Sequence, residues 1–307
     1  MTELIKQKAL EQGIKLAVVP VECILDVKGD MEKLISENIL NRRLKWIEEE
    51  RYNFKNYPFQ PKSIVTAVWR LNLAELIVNY KGKQRSTIVS DIYYPTAKVH
   101  ALLKDLFDEQ GFFLEYVYWI PHKSFAVRSG LCEYGRNNIT YSNELGSFIR
   151  IEVFISDAPV ESYVWRDMVN MALCDSCKKC IGNCPTKAIL PDRFLIDSKY
   201  CLSYLTCEDS DMPEWVPKPV PYRLVECLYC QDICPMNHGR LKNIEHIEFD
   251  EIETEIMLKS ENYCDFPENI KKKFWHYINS EPYACIPRNL RLLVEKDYNK
   301  CYANQTR

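Results

Sequence analysis

The 307-residue sequence lacks several features that mark whole classes of protein. No apolar run approaches the roughly eighteen residues of a membrane span. No signal peptide is apparent, since Met1 to Lys8 are polar and charged. The net charge of −3 argues against the strong basic field of a dedicated nucleic-acid binder. With no long low-complexity tract, these absences predict a soluble, cytoplasmic protein without a membrane partner.

Cysteine, by contrast, is abundant, with 14 in the chain. Four of them form a C-x2-C-x2-C-x3-C-P run from Cys174 to Pro185, and Cys227, Cys230 and Cys234 repeat its last three positions before Pro235. In bacterial ferredoxins the fourth cysteine of such a run binds the other cluster. The pair of runs therefore predicts two 4Fe-4S clusters and a role in electron transfer.

The second run lacks its leading cysteine, because Leu224 occupies that position. Cys201 is the natural substitute, and it completes two four-cysteine sets. The first cluster is assigned to Cys174, Cys177, Cys180 and Cys234. The second is assigned to Cys184, Cys201, Cys227 and Cys230.

Two alternatives explain closely spaced cysteines. Zinc knuckles share the C-x2-C step, but they need neither its third repeat nor the crossing C-x3-C-P. A disulfide framework is weaker still, because a reducing compartment favours thiolate ligands. Cys207 is the remaining cysteine expected nearest a cluster. Most of the cysteines outside the two sets are predicted to be buried small hydrophobes; besides Cys207 they are Cys23, Cys132, Cys264, Cys285 and Cys301.

The pattern along the chain predicts an α+β protein of three segments. Residues 1–165 form a mixed α/β domain, residues 166–240 a two-cluster ferredoxin module, and residues 241–307 a short helical tail. Helices are predicted at Leu4–Gln12, Asp30–Tyr52, Thr96–Glu109 with Thr96 as cap, Ile270–Ile278 and Pro287–Lys296. Strands are predicted at Leu16–Val21, Ser63–Trp69, Phe112–Trp119 and Phe148–Ile155.

Several short motifs, taken together, carry a family resemblance. They are Arg128-Ser-Gly-Leu131, Gly135-Arg-Asn-Asn138, Glu144-Leu-Gly-Ser147, the run from Cys174 to Ile189, Cys201-Leu-Ser-Tyr-Leu-Thr206 and the run from Cys227 to Asn237. In this order they resemble the epoxyqueuosine reductases, chiefly over residues 85–240.

The resemblance implies a cobalamin bound between an α/β domain and the two-cluster module, as in the related reductive dehalogenases. It implies electrons supplied by a low-potential donor such as a flavodoxin or ferredoxin, and an epoxide on a tRNA wobble nucleoside as substrate. Long family members add HEAT-like helices that help to hold tRNA. The tail around Arg288-Asn-Leu-Arg291 looks like one such pair, and a solvated basic face is the simpler interpretation of its charges.

The corrin contacts implied by the resemblance lie in and before the glycine-bearing motifs. Glycines would allow close approach to a flat macrocycle, and polar side chains would bind its amides. The alternative is that the glycines serve turns between strands. The predicted contacts are Tyr93, His100, Ser129, Gly130, Gly135, Asn137, Asn138, Gly146 and Ser147.

One departure from the family bears on the reaction. The family's catalytic aspartate, a proton donor, has Tyr116 or Tyr118 at its place here, depending on the alignment. A tyrosine can donate a proton, although aromatic residues in a strand are more often core. His122 is a further candidate donor or cobalt ligand, and its alternative role is structural.

Three functions therefore compete. The first is a corrinoid-dependent iron-sulfur oxidoreductase with a changed substrate. The second is a redox partner that reduces a corrinoid or a corrinoid protein without further chemistry. The third is an electron-transfer protein that binds no corrin. The missing aspartate favours a corrinoid reductase or activator, and epoxyqueuosine reduction on tRNA is the alternative.

Overall fold

The computed structural model describes residues 1–36, 52–54, 56–91, 96–192, 195–208, 210–217, 223–242, 244–274, 277 and 285–295. The helices of this part of the chain are α1 (Thr2–Glu11), α2 (Ile24–Ser36), α3 (Ala97–Asp108), α4 (His122–Arg128), α5 (Leu173–Ser176), α6 (Lys179–Asn183), α7 (Leu202–Thr206), α8 (Tyr229–Asp232), α9 (Glu251–Lys259), α10 (Glu268–Phe274) and α11 (Cys285–Glu295). Its strands are β1 (Lys15–Pro20), β2 (Ser63–Arg70), β3 (Leu73–Tyr80), β4 (Lys83–Ser90), β5 (Leu114–Tyr116), β6 (Glu133–Tyr134), β7 (Thr140–Tyr141), β8 (Ile149–Ser156) and β9 (Glu245–Phe249).

The chain divides into two compact units. Unit 1 comprises Met1–Arg70 and Pro95–Cys177, and unit 2 comprises Leu71–Tyr94 and Lys178–Arg307. Unit 1 contains an antiparallel sheet of order β1-β2-β8-β5. Its central strands β2 and β8 pair along their full length, so both are buried on two faces.

Helices cover both faces of the unit 1 sheet, because successive side chains of a strand point to opposite faces. On one face, Phe107 of α3 packs with Val65 and Phe154. On the other, Phe125 of α4 packs with Ile64 and Val153. The sheet is therefore the middle layer of a helix–sheet–helix sandwich, and polar side chains on β8 must find partners inside it.

Unit 2 contains a second sheet of order β4-β3-β9. Strand β3 pairs antiparallel with β4 through a tight turn at Lys81 and Gly82, and parallel with β9. Helices α9, α10 and α11 contribute Met257, Phe274 and Leu290 to the core beneath it. Leu224 and Val225, close to the second cysteine run, are buried in the same core.

The prediction of a purely helical tail is wrong at β9. Ile247 and Phe249 alternate with more exposed residues and pair with β3, which is a strand pattern. Because β3 pairs with this strand and β4 pairs with β3, residues 71–94 group with unit 2, and the compact units do not follow the predicted segment boundaries.

The predicted mixed α/β fold is confirmed. Helices α1 and α3 and strands β1, β2 and β8 lie close to their predicted positions. Thr96 precedes α3 without a side-chain cap, because its hydroxyl donates to Glu152 Oε1 at 3.1 Å instead. The predicted strand Phe112–Trp119 is extended only at β5.

Some predicted element ends lie outside the described residues. The predicted helix Asp30–Tyr52 corresponds in part to α2, which begins earlier, and residues 37–51 are not described. Helices α10 and α11 occupy the predicted hairpin positions, while Ile278 and Lys296 lie outside the described residues. In the described part of the chain, no helix combines the length and apolarity that crossing a bilayer requires.

Candidate functional site

The predicted cluster ligands lie in very short helices or in the loops beside them. Cys174 lies in α5, Cys180 in α6 and Cys230 in α8. Cys201 is the residue from which α7 starts. Cys174 and Cys177 belong to unit 1, and the other predicted ligands belong to unit 2.

Unit 2 brings the predicted second-cluster cysteines together. Cys184, Cys201 and Cys230 share one apolar cluster with Ala188 and Ile189. The pKa of Cys227 is raised to about 12, mainly by burial, with a smaller contribution from the nearby Cys201 and Cys184. Cys201, distant in sequence, is thus a spatial neighbour of the second run.

The chemistry of this donor set fits an iron-sulfur cluster. The Ala188 amide donates to Cys184 Sγ at 3.2 Å, and such bonds to cluster sulfurs help to set reduction potential. Among the described side chains, no group of three or more His, Cys, Asp or Glu is gathered around a single-ion position. A cubane is larger than one ion, so its ligand sulfurs are necessarily spread wider.

The predicted corrin contacts around Gly135 form a self-contained turn. A Cβ on Gly135 would lie 2.6 Å from both Asn137 Oδ1 and Tyr141 Cε2. The Asn137 amide donates to Tyr141 Oη at 2.9 Å, and Asn138 adopts a left-handed φ of 60°. The requirements of the turn therefore explain the glycine and both asparagines without a ligand.

Other members of this predicted set also have contacts within unit 1. Ser129 is buried and donates to the Ala126 carbonyl at 3.4 Å. Gly130 has a φ of 80° after α4, and Gly146 has a φ of 71° in a turn closed by hydrogen bonds with Ser142. Ser147 is buried beside that turn. Local turn and helix-end contacts therefore account for each of these residues.

The hairpin β6–β7 supports the chain that enters the first cysteine run. The Met171 amide donates to the Tyr134 carbonyl at 2.8 Å. Arg136 donates through Nε and Nη2 to the Cys174 carbonyl at 3.4 and 3.3 Å. Positioning of the Cys174 loop is thus an observed contribution of this motif.

A cluster of polar side chains surrounds Glu152 on β8. This carboxylate is only 1% exposed, and it accepts hydrogen bonds from Thr96 at 3.1 Å and from Arg150 Nε at 2.8 Å. His100 Nε2 of α3 also contacts it. Burial alone would raise the pKa of Glu152, but hydrogen bonding to His100 and the charge of Arg150 outweigh it and lower that pKa.

Tyr116 lies beside this carboxylate. Its ring centroid is 4.8 Å from that of His100 and 5.5 Å from that of Phe154. Burial, reinforced by the charge of Glu152, raises the pKa of Tyr116 to about 12. The phenol therefore keeps its proton at neutral pH. Tyr118, the other candidate, is 59% exposed and packs on Trp119 with ring centroids 4.2 Å apart.

His122 is engaged with the backbone. Its Nδ1 lies 3.1 Å from the Ile151 carbonyl and its Nε2 lies 2.7 Å from the Val117 carbonyl. Burial is the main cause of its lowered pKa. The ring ties the end of β5 to β8, which is a structural role. Tyr93 lies outside the described residues.

Sequence reasoning missed Glu152 and its partner Arg150. Both lie in the apolar strand pattern Phe148–Ile155, which was interpreted only as a strand. The available signal was an acidic residue at the centre of a strand buried on both faces, since such a charge needs partners.

The cysteine region of this chain matches a known protein family. Residues 173–237 match the family described as the 4Fe-4S double cluster binding domain. Epoxyqueuosine reductases from Atelocyanobacterium thalassa and Cyclobacterium marinum are each 33% identical, over 120 and 119 residues. These alignments cover 38% of this chain in both cases, and 38% and 37% of the two relatives.

The predicted resemblance to the epoxyqueuosine reductases is confirmed. The chain aligns with only a little over a third of the length of these curated relatives. The solved structures extend the likeness in fold. The epoxyqueuosine reductase of Bacillus subtilis, with its catalytic aspartate loop swung out of the active site, aligns with 95% of this chain and 80% of its own at 21% identity and a TM-score of 0.69.

A second solved structure is an epoxyqueuosine reductase with an epoxyqueuosine-modified tRNA stem loop. It has the same coverage, with 20% identity and a TM-score of 0.69. The Streptococcus thermophilus enzyme gives a TM-score of 0.66 at 16% identity. At these identities the structural matches establish the fold, and the fold covers both units.

Proposed function

We propose that this chain is an iron-sulfur oxidoreductase that passes electrons through two 4Fe-4S clusters to a corrinoid acceptor. The observation that carries the proposal is the crossed pair of cysteine runs, completed by Cys201, within the double-cluster match at residues 173–237. The proposed ligand sets are those assigned from the motifs.

The proton chemistry is assigned to the cluster around Glu152. A reduction that consumes electrons often also consumes a proton, and a catalytic acid must hold that proton at the working pH. Tyr116 meets this requirement as any phenol does; because burial raises its pKa to about 12, its proton passes only to a strongly basic acceptor such as an alkoxide. Glu152, which contacts Arg150 and His100, provides a carboxylate beside Tyr116. The position aligned with the family's aspartate has no carboxylate of its own.

The acceptor is proposed from the family resemblance. The donors and glycines of the glycine-bearing turn serve contacts within the turn, so this turn adds no independent support for a corrin. A corrinoid cofactor or corrinoid protein is the proposed acceptor, and a flavodoxin or ferredoxin is the proposed donor.

Epoxyqueuosine reduction on tRNA is the second candidate. The fold likeness to the Bacillus subtilis enzyme and to the complex with a tRNA stem loop favours it. The carboxylate of Glu152 lies on β8, whereas the family's aspartate aligns with Tyr116 or Tyr118, in a different segment. This candidate therefore requires Tyr116 to act as the acid.

Anaerobic titration with cobalamin tests the proposal. The as-isolated protein is expected to shift the corrin spectrum to its base-off form at one equivalent and, with a chemical reductant, to reduce the cobalt. The Cys227→Ser variant should reduce it more slowly. Absence of both corrin binding and cobalt reduction would contradict the proposal.

The same preparation separates the second candidate. Turnover of an epoxyqueuosine-containing stem loop by wild-type protein, lost in Tyr116→Phe and retained in Tyr118→Phe, would favour that reaction. Cobalt reduction without stem-loop turnover would favour the corrinoid reductase.

A further inference from the structure

Polar side chains of α11 form hydrogen bonds inside unit 2. Ile286 and Leu290 of this helix enter the core beneath the second sheet. Asn289, between them in sequence, is 0% exposed. A buried side-chain amide requires hydrogen-bond partners. The partners of Asn289 therefore show which segments α11 connects.

The partners of Asn289 are the two loops that carry distant cluster ligands. Its Nδ2 donates to the Thr206 carbonyl at 2.8 Å and to the Leu224 carbonyl at 2.7 Å. Thr206 ends α7, the helix that starts at Cys201. Leu224 lies three residues before Cys227. Both hydrogens of one amide therefore join the Cys201 segment to the Cys227 segment.

Arg288 strengthens this bridge. It donates through Nη2 to the Leu205 and Thr206 carbonyls at 3.1 and 3.2 Å, and through Nη1 to the Glu208 carbonyl at 2.6 Å. These carbonyls lie at and beyond the end of α7, where a helix has few backbone donors of its own; Leu205 accepts one long bond, from the Glu208 amide at 3.4 Å. Arg288 Nε also donates to Asn289 Oδ1 at 3.1 Å, which directs the amide nitrogen toward both loops.

The backbone around Cys227 needs such support. Glu226 and Leu228, on either side of this cysteine, have φ angles of 62° and 61°. Left-handed conformations are costly for residues other than glycine, and they persist where the surroundings hold them. Thr206 Oγ1 donates to the Glu226 carbonyl at 3.3 Å, so the two loops also touch directly.

We propose that Arg288 and Asn289 are positioning residues that hold Cys201 against the second cysteine run. The inference rests on the proposed ligand sets. A regular C-x2-C-x2-C run brings its ligands together through local chain geometry, whereas Cys201 is supplied from a separate segment. Arg288 and Asn289 of α11 connect these two segments. Their side chains donate to the loops that carry the cysteines rather than to a tRNA backbone.

The test compares two substitutions in the same helix. Asn289→Leu removes the donor to both cysteine loops and keeps the branching of the side chain at Cγ. Arg291→Leu is the control in the same helix, because Arg291 donates to two carbonyls outside the cysteine loops, Leu258 at 3.0 Å and Ser260 at 2.6 Å. Each variant is reconstituted anaerobically and examined for iron and sulfide content, reduced EPR spectrum and cysteine alkylation.

Asn289→Leu is expected to fall from about eight to about four iron atoms per chain, the content of one cluster. Cys201 and Cys227 should become open to alkylation, while Cys174 and Cys177 stay protected. Arg291→Leu should keep about eight iron atoms even if its melting temperature falls. Arg288→Leu, which leaves the Asn289 amide in place, provides a milder second variant if Asn289→Leu does not fold.

The outcomes separate the two proposals. Folded Asn289→Leu and Arg288→Leu proteins with full iron content and unchanged EPR spectra would overturn the positioning role. So would equal iron loss in Arg291→Leu. Wild-type protein without iron after reconstitution would instead contradict the proposed clusters themselves.

Discussion

The cysteine loops of unit 2 and the Glu152 cluster of unit 1 are built in opposite ways. Glu152 stands on a central strand paired on both sides, with helices over both faces of its sheet. The unit 2 cysteines stand on α6, α7 and α8, helices of 5, 5 and 4 residues. Helices this short are not stable alone, since even chains of about twelve residues are marginal.

This contrast indicates two sources of order. The Glu152 cluster is fixed by sheet packing, whether or not a cofactor is bound. The cysteine loops depend on ligation and on the few side chains that hold them, because metal-ligand bonds contribute directly to folding. Cofactor loss should therefore affect the two regions very differently.

Cluster removal should produce the largest difference. When iron is removed anaerobically with a chelator, amide exchange in α6, α7 and α8 should become much faster, because these helices lose the ligation that orders them, although α7 keeps its contacts with α11. Exchange in β2 and β8 should change little. Hydrogen-exchange mass spectrometry of the holo and apo forms measures both. Equal protection of α6–α8 in the two forms would contradict the proposal that ligation orders the cysteine loops of unit 2.

Glu152→Gln should give the next largest effect, confined to unit 1. Losing the buried charge that pairs with Arg150 and His100 should destabilise the protein by roughly 1–3 kcal/mol, with no change in iron content. It should also lower the pKa of Tyr116, because the Glu152 charge helps to raise it.

Thermal unfolding and tyrosine NMR titration, with Tyr116→Phe to assign the signal, measure both effects of Glu152→Gln. Glu144→Gln is the control, since Glu144 forms an exposed pair with Lys15 and should change neither quantity. An unchanged Tyr116 titration in Glu152→Gln would contradict the effect of the Glu152 carboxylate on the pKa of this phenol.

The smallest expected effect is the pH dependence from His122. Its folded-state pKa is lowered from 6.5, so the unfolded chain binds the proton more readily. Its contribution to stability is present above about pH 6.5 and declines as the pH falls toward the folded-state pKa. His122→Gln should flatten the melting temperature between pH 7 and pH 5. An identical pH profile in the variant would contradict this assignment.

Sequence prediction succeeded where local spacing determines the outcome. The double-cluster domain follows from cysteine spacing, and α1, β2, α3 and β8 follow from apolar periodicity. It failed where partners are distant in sequence. Glu152 and His100 meet only when α3 packs on the sheet, and β9 depends on pairing with β3.

The glycine-bearing motif shows a different limit. Close approach of a macrocycle and a tight turn both require glycine, so the sequence alone could not separate them. The contacts of Gly135 with Asn137 and Tyr141 identify the turn. Likewise, the sequence could not distinguish a solvated basic face on α11 from arginines that donate to backbone carbonyls, as Arg288 and Arg291 do.

The most direct measurement is the iron content of two cysteine variants. Cys201→Ser and Cys207→Ser change neighbouring thiols, yet only Cys201 is assigned to a cluster. After anaerobic reconstitution, Cys201→Ser should bind about four fewer iron atoms than wild type, and Cys207→Ser should keep about eight. Full iron content in Cys201→Ser, or loss in Cys207→Ser alone, would contradict the assignment of the second cluster.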